Sequence, residues 1–257
     1  MSPNTIFQGA KLKLEWAKHH IANLEATFRA YVDLNPYVLG SKENPETATK
    51  MATIRYTMEL PSDIALILGD AVHNLRVALD HTVWELIGLD RDTQDHYTQF
   101  LTGKDRVSYE ASCNGIKTPR DDAKKFLISL AAYKDGGGND LYAIARLDNI
   151  DKHTIIIPAM TACTPPNVQL IRPGGSVWWE MGSPTFISPL GGAVGWGGVD
   201  PANTVQFDQN RKPTFAIGFG KIEVFPEDPI IPTLLHLADA VGETIGKFAE
   251  FVGTRAW

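Results

Sequence analysis

Leu68-Gly69-Asp70-Ala71-Val72-His73-Asn74-Leu75-Arg76-Val77-Ala78-Leu79-Asp80-His81-Thr82-Val83 is the stretch on which the fold turns. A helix advances about 100° per residue, so Leu68, Ala71, Val72, Leu75, Ala78, Leu79, Val83 and Leu86 fall on one broad apolar face. Pro61-Ser62-Asp63 supplies the chemistry that caps a helix start, and the pattern predicts one long helix running from 62 to about Gly88. The opposite side carries Asp70, His73, Asn74, Arg76, Asp80 and His81, interrupted by Val77 and flanked by Trp84. A solvated helix face is ordinarily built of Lys, Glu, Gln and Arg, which form helices well, whereas Asp, Asn and His do so poorly. Three uses of such a stripe are open: a wet surface, a buried polar network holding two helices in register, or a functional site lining a concavity. The unusual composition favours the third.

Working outward, Ala10, Leu14, Ala17, Ile21, Leu24, Phe28 and Tyr31 recur at four- and three-residue steps and predict a helix over about 8–34, stopped at Asn35-Pro36. Residues 51–59 alternate and read as a strand, 89–120 carry no regular pattern, and a helix is expected from Asp121 to Tyr133. Gly136-Gly137-Gly138 ends that segment, and Asn139 or Asp140 caps a further helix that reaches about His153. From 154 to 226 short apolar or alternating runs punctuated by glycine and proline predict an antiparallel meander, with 182–203, six glycines and Trp196 among them, as a long loop. Leu234, Leu237, Val241, Ile245, Phe248 and Val252 then return to helical spacing. The expected fold class is α+β: a helical bundle formed by about 8–153 and 229–253, with an antiparallel sheet inserted before the C-terminal helix. Residues 1–257 are expected to make a single compact domain without internal repeats.

Composition narrows the function. Hydrophobic residues at 44% and charged residues at 21% describe a globular chain rather than a disordered one. A net charge of −6 argues against a protein that coats long DNA, because such binding needs a broad Lys/Arg surface, yet a small nucleotide or short RNA in a local basic site remains open. No apolar signal core follows Met1 and no run is long enough to span a bilayer, so a cytoplasmic protein with no membrane partner is expected. Cys113 and Cys163 lack metal-ligand spacing and read as structural or incidental.

A second polar constellation lies in the helix that ends near His153, where Tyr142, Arg146, Asn149 and His153 share one face and Leu141, Ile144 and Leu147 another. Lys152 and His153 are equally explained as cations at the negative end of the helix dipole, and Asp148 and Asp151 as ordinary surface charges. If the two helices meet, the ligand-binding candidates become Asp70, Asn74, Arg146, Asn149, Lys152 and His153, beside the catalytic candidates His81, Arg76, His73 and Asp80.

A histidine can move a proton to or from oxygen, an arginine can hold phosphoryl charge bidentately, and a carboxylate can orient the imidazole. These are the parts of phosphodiester cleavage in which a ribose 2′-hydroxyl is the nucleophile, so no metal or other cofactor is expected. Arg76-Val77-Ala78-Leu79-Asp80-His81 resembles the Arg-x4-His helix motif of the HEPN superfamily. The resemblance implies a HEPN-like helical bundle, ribonuclease chemistry without a metal, phosphate stabilisation by Arg76, proton transfer by His81, and a site completed across a homodimer. His73-Asn74-Leu75-Arg76 with Asp80-His81, and Leu147-Asp148-Asn149-Ile150-Asp151-Lys152-His153, are similar to phrases of uncharacterised bacterial and phage proteins. Two other readings compete: a metal-dependent hydrolase using His73, His81, Asp80 and His153, and a protein that sequesters a nucleotide without catalysis. The second would stack a base on Trp178, Trp179 or Trp196 and hold phosphate with Arg76 or Lys152.

Overall fold

The computed structural model describes residues 6–89, 98–118, 120–156, 158–164, 168–175, 177–180, 185–186, 194–207, 212–220, 222–226 and 228–254. The class is mixed α+β. Helices are α1 (Gln8–Asp33), α2 (Ser62–Gly88), α3 (Arg106–Gly115), α4 (Asp121–Ser129), α5 (Asn139–His153) and α6 (Ile230–Gly253). Strands are β1 (Tyr37–Asn44), β2 (Thr49–Tyr56), β3 (Ala159–Thr164), β4 (Val168–Ile171), β5 (Val177–Glu180), β6 (Thr185–Phe186), β7 (Val194–Val199), β8 (Thr204–Phe207) and β9 (Thr214–Gly218). Where the sequence reads as one domain, contacts group the residues into two compact units, Met1–Leu24 with Ala65–Ile156 and Ile231–Trp257, and Glu25–Ile64 with Ile157–Ile230. Two of the dividing points fall inside α1 and in the first turn of α2, where no linker composition marks them. Among the described residues no helix is long and apolar enough to cross a membrane.

The helical unit is built from the stripes that the periodicity picks out. All eight apolar residues expected on α2 are buried, as are Ala10, Leu14, Ala17, Ile21 and Leu24 of α1 and Leu141, Ile144 and Leu147 of α5. Each fully buried Leu or Ile contributes roughly 1.5–3 kcal/mol, so these stripes outweigh the poor helix propensity of the polar residues between them. Aromatic packing adds to this core: Phe126 stacks on Phe251 at 4.3 Å and meets Phe248 edge-on at 4.9 Å, and Phe248 meets Phe7 at 5.8 Å. Pro232 sits in the first turn of α6, where a missing amide costs no helical hydrogen bond. Helix α3 departs from the expectation of irregular structure over 89–120. Asp105 caps it, accepting from Ser108 N at 2.7 Å while its own amide donates to Ser108 Oγ at 3.3 Å. Serine replaces the Glu or Gln usual at the third position of such a box, so the start is easily missed.

Among its described residues the second unit holds three three-stranded antiparallel sheets, with strand orders β1-β2-β7, β6-β3-β9 and β5-β4-β8. They do not form the expected meander, since among the described residues only β1–β2 and β4–β5 join strands consecutive in the chain. Tight turns explain those two. Gly174 and Gly175, at φ 106° and 88°, turn the chain between β4 and β5, a conformation glycine adopts without steric cost. Strands β3 and β4, consecutive in the chain, sit in different sheets. Strand β1 escapes the sequence pattern because Gly40, Ser41, Lys42, Glu43 and Asn44 are the polar residues of an edge strand. The expected loop at 182–203 contains β6 and β7, and β7 pairs with β2 through Trp196↔Ala52 and Val194↔Ile54. Its glycines read as loop, yet in a strand they are tolerated where packing is close.

Candidate functional site

The helical unit brings α2 and α5 together, and a short polar ladder records their contact. His73 Nδ1 lies 2.9 Å from Asp148 Oδ1, and the other oxygen of Asp148 lies 2.6 Å from Lys152 Nζ. One turn back on α2 and one turn on along α5, Gly69 faces the Asp151 carboxylate, which occupies the place a Cβ would take. The two helices therefore run antiparallel here. Asp148 is 3% exposed, whereas the side chains of His73 and Lys152 are each 52% exposed, so a buried anion is covered by two half-exposed groups. Burial of an unpaired carboxylate would be costly, and these two contacts supply its partners.

This arrangement has a chemical consequence. A carboxylate accepts hydrogen bonds, so the neutral imidazole places its proton on Nδ1 and leaves the Nε2 lone pair free. Nearby, Asp151 accepts from the Ile156 amide at 3.5 Å. Burial pushes the Asp151 carboxyl above the usual carboxylate range; Asp148 and Asp70 push the same way, against the Ile156 amide and His73.

Arg76 and Asp80 serve another contact. Arg76 is 7% exposed, and its Nη2 donates to the Phe100 carbonyl at 2.8 Å while lying 3.0 Å from Asp80 Oδ1. The same Asp80 oxygen accepts from the Phe100 amide at 2.8 Å. Both backbone polar groups of buried Phe100 are thus satisfied by one turn of α2. Burial raises the Asp80 pKa, opposed by Arg76 and the Phe100 amide. Arg76 Nη1 is buried without a hydrogen-bond partner among the described residues.

On its other flank α2 meets α1. A Cβ at Gly9 would stand 2.5 Å from His81 Nδ1 and 3.4 Å from Glu85 Oε1, so His81 lies against the start of α1. Glu85 Oε2 accepts from the Phe7 amide at 2.5 Å. Asn74 is 7% exposed; its Nδ2 donates to the Asp70 carbonyl at 2.8 Å and its Oδ1 accepts from Lys13 Nζ at 3.3 Å.

Five of the six polar residues of the stripe thus divide among three neighbours. His73 joins Lys152 through Asp148; Arg76 and Asp80 hold Phe100; Asn74 and His81 face α1. Asp70 is exposed on the same turn as His73, Arg146 is partly buried in α5, and Asn149 and His153 are exposed. Among the described residues no three His, Cys, Asp or Glu side chains are gathered so as to hold a metal ion, so the set His73, His81, Asp80 and His153 does not converge. Cavities of about 480 Å³, lined by Phe126, Lys247 and Phe251 among others, and about 460 Å³, at the β1–β2 hairpin, have none of His73, Asp148 and Lys152 in their lining. The side chains of Trp178, Trp179 and Trp196 lie outside the described residues.

Sequence reading missed the weight of Asp148 and Gly69. Asp148 sits beside Leu147 and one turn after Ile144, close enough to the apolar stripe to be drawn inside. Gly69 was the available signal for close approach, since glycine inside a helix costs about 1 kcal/mol relative to alanine and needs a reason. Comparison with family models, curated proteins and solved structures gives no match.

Proposed function

We propose that the protein is a metal-independent phosphodiesterase acting on RNA or a small nucleotide, with His73 as its acid–base residue. The observation that carries this reading is the buried Asp148 carboxylate bonded to Nδ1 of a half-exposed histidine, with Lys152 beside it. In the proposed step His73 Nε2 takes the proton of a ribose 2′-hydroxyl, whose oxygen attacks the adjacent phosphorus. The bond to the 5′-oxygen breaks, the departing oxygen takes a proton from solvent, and His73 returns its proton to solvent. Asp148 is a positioning residue, and Lys152 supplies positive charge near the phosphate. The HEPN likeness and a homodimer belong to the same proposal, as does a cytoplasmic location. Within it, proton transfer moves from His81 to His73, because His81 packs at Gly9 and Arg76 is engaged by Asp80 and Phe100.

Incubation with RNA and a panel of linear and cyclic nucleotides, with and without chelator, tests the reading. Product from the parent, insensitive to chelator and reduced about 10²-fold or more in His73→Ala at parental melting, is the expected result. Ligand recovered intact would point to sequestration, and chelator-sensitive turnover to a metal hydrolase.

A further inference from the structure

The outer face of α1 has no part in the site described above. Lys11-Leu12-Lys13-Leu14-Glu15-Trp16-Ala17-Lys18-His19-His20 holds three lysines and two histidines against one acid, in a chain whose net charge is −6. Its inward side is the apolar stripe. Its outward side carries Trp16, 53% exposed, with His19 stacked on the indole at 5.0 Å and 16° and His20 meeting it edge-on at 5.4 Å. A half-exposed indole backed by a second ring and bordered by lysines has the composition of a nucleic-acid surface rather than of a wet helix.

Position strengthens the case. The contacts of Gly9 with His81 and of Lys13 with Asn74 make α1 and α2 antiparallel. Trp16 lies three residues beyond Lys13, about 4.5 Å along the helix axis, and Asp70 lies four residues before Asn74, about 6 Å in the matching direction. The Trp16 turn of α1 is therefore level with the Asp70–His73 turn of α2. Asp70 and His73 are exposed between α1 on one side and α5 on the other. Packed helix axes stand about 8–10 Å apart, a spacing that one nucleotide spans from base to phosphate.

We propose that Trp16, backed by His19, is the stacking platform for the base of a nucleotide whose phosphodiester is presented to His73, with Lys13 contributing positive charge. Its assignment to a reacting nucleotide rests on the function proposed above; the stacking does not. Every base has a π-face, so the platform takes a nucleotide of any base, free or within a short single strand.

Equilibrium binding of a labelled tetranucleotide with 2′-O-methyl riboses, which the proposed step cannot cleave, a nucleoside monophosphate and ribose 5-phosphate to the parent, Trp16→Ala and Trp16→Phe tests the proposal, with melting measured on each. Trp16→Ala is expected to melt as the parent and to bind both base-containing probes about 10-fold or more weakly, while Trp16→Phe keeps most of the affinity. Ribose 5-phosphate should not distinguish parent from Trp16→Ala. Loss of affinity for the tetranucleotide alone would place the platform on a strand rather than on a free nucleotide, within the proposal. Unchanged nucleotide affinity in Trp16→Ala overturns the platform even if His73-dependent turnover is seen. Trp16-dependent binding without any turnover overturns the reaction and leaves the platform standing. No nucleotide binding by the parent, or a Trp16-dependent dimer in its place by sedimentation, overturns it as well.

Discussion

His73 and His81 sit eight residues apart on the polar stripe of one helix, yet their surroundings share little. His73 looks outward from a buried carboxylate, with one ring nitrogen bonded and the other free for solvent or substrate. His81 is set against the first turn of α1, where glycine alone makes room for its ring, beside a Glu85 carboxylate that holds the Phe7 amide. Proton transfer needs an oriented ring and an accessible nitrogen, and the α5 flank offers both. The α1 flank looks like packing. An Arg-x4-His spacing therefore does not by itself say which histidine of a polar stripe is left accessible.

The largest expected effect separates the flanks directly. Asp148→Ala should lower kcat about 10²-fold or more with a smaller change in KM, because it frees the His73 ring without removing substrate contacts. His81→Ala should keep kcat within about threefold of the parent. Steady-state kinetics on the two variants decides the comparison, and equal losses would break it.

Smaller effects come from the glycines that admit each flank. Gly69→Ala forces the Asp151 carboxylate away from α2, and Gly9→Ala meets the His81 ring. Double-mutant cycles with Asp151→Ala and His81→Ala should each return a coupling of about 0.5–3 kcal/mol by denaturant unfolding. Gly246 in α6 has nothing within 4 Å of an added Cβ, so Gly246→Ala should stabilise by about 0.5–1 kcal/mol and serves as the reference. Additivity at Gly69 would mean that the α2–α5 contact is looser than described.

The smallest effect is a pH dependence. Burial raises the Asp151 carboxyl above its unfolded value of 3.8, so the folded chain holds this proton more tightly than the unfolded chain. Its stabilising contribution is present below pH 3.8 and is lost as pH rises through the folded value. Asp151→Asn should accordingly leave melting unchanged at the acid end and raise it slightly at neutral pH. Melting curves across that range check the sign, and a variant that is less stable at pH 7 than the parent would contradict it.

Much of the helical framework was legible. The apolar stripes of α1, α2, α5 and α6 follow from spacing, and α1 and α2 begin and end within a residue of where Gln8, Asn35-Pro36, Ser62 and Gly88 suggest. Strand β1 and helix α3 were hidden by an unusually polar edge and an atypical cap. The polar stripe at 70–81 was also legible as unusual, but its division was not. Helical angle places Asp70, His73, Asn74, Arg76, Asp80 and His81 on one broad side, and nothing local tells that Asn74 and Arg76 are covered while His73 is open.

By itself the sequence determined which residues share a helix face, because that periodicity depends only on neighbours three and four positions away. The tertiary structure alone decided what lies over each turn: Lys13 on Asn74, the backbone of Phe100 on Arg76 and Asp80, Asp148 under His73. Those partners come from segments up to 75 residues distant, and a polar side chain is spent on structure or left for chemistry according to which of them reaches it.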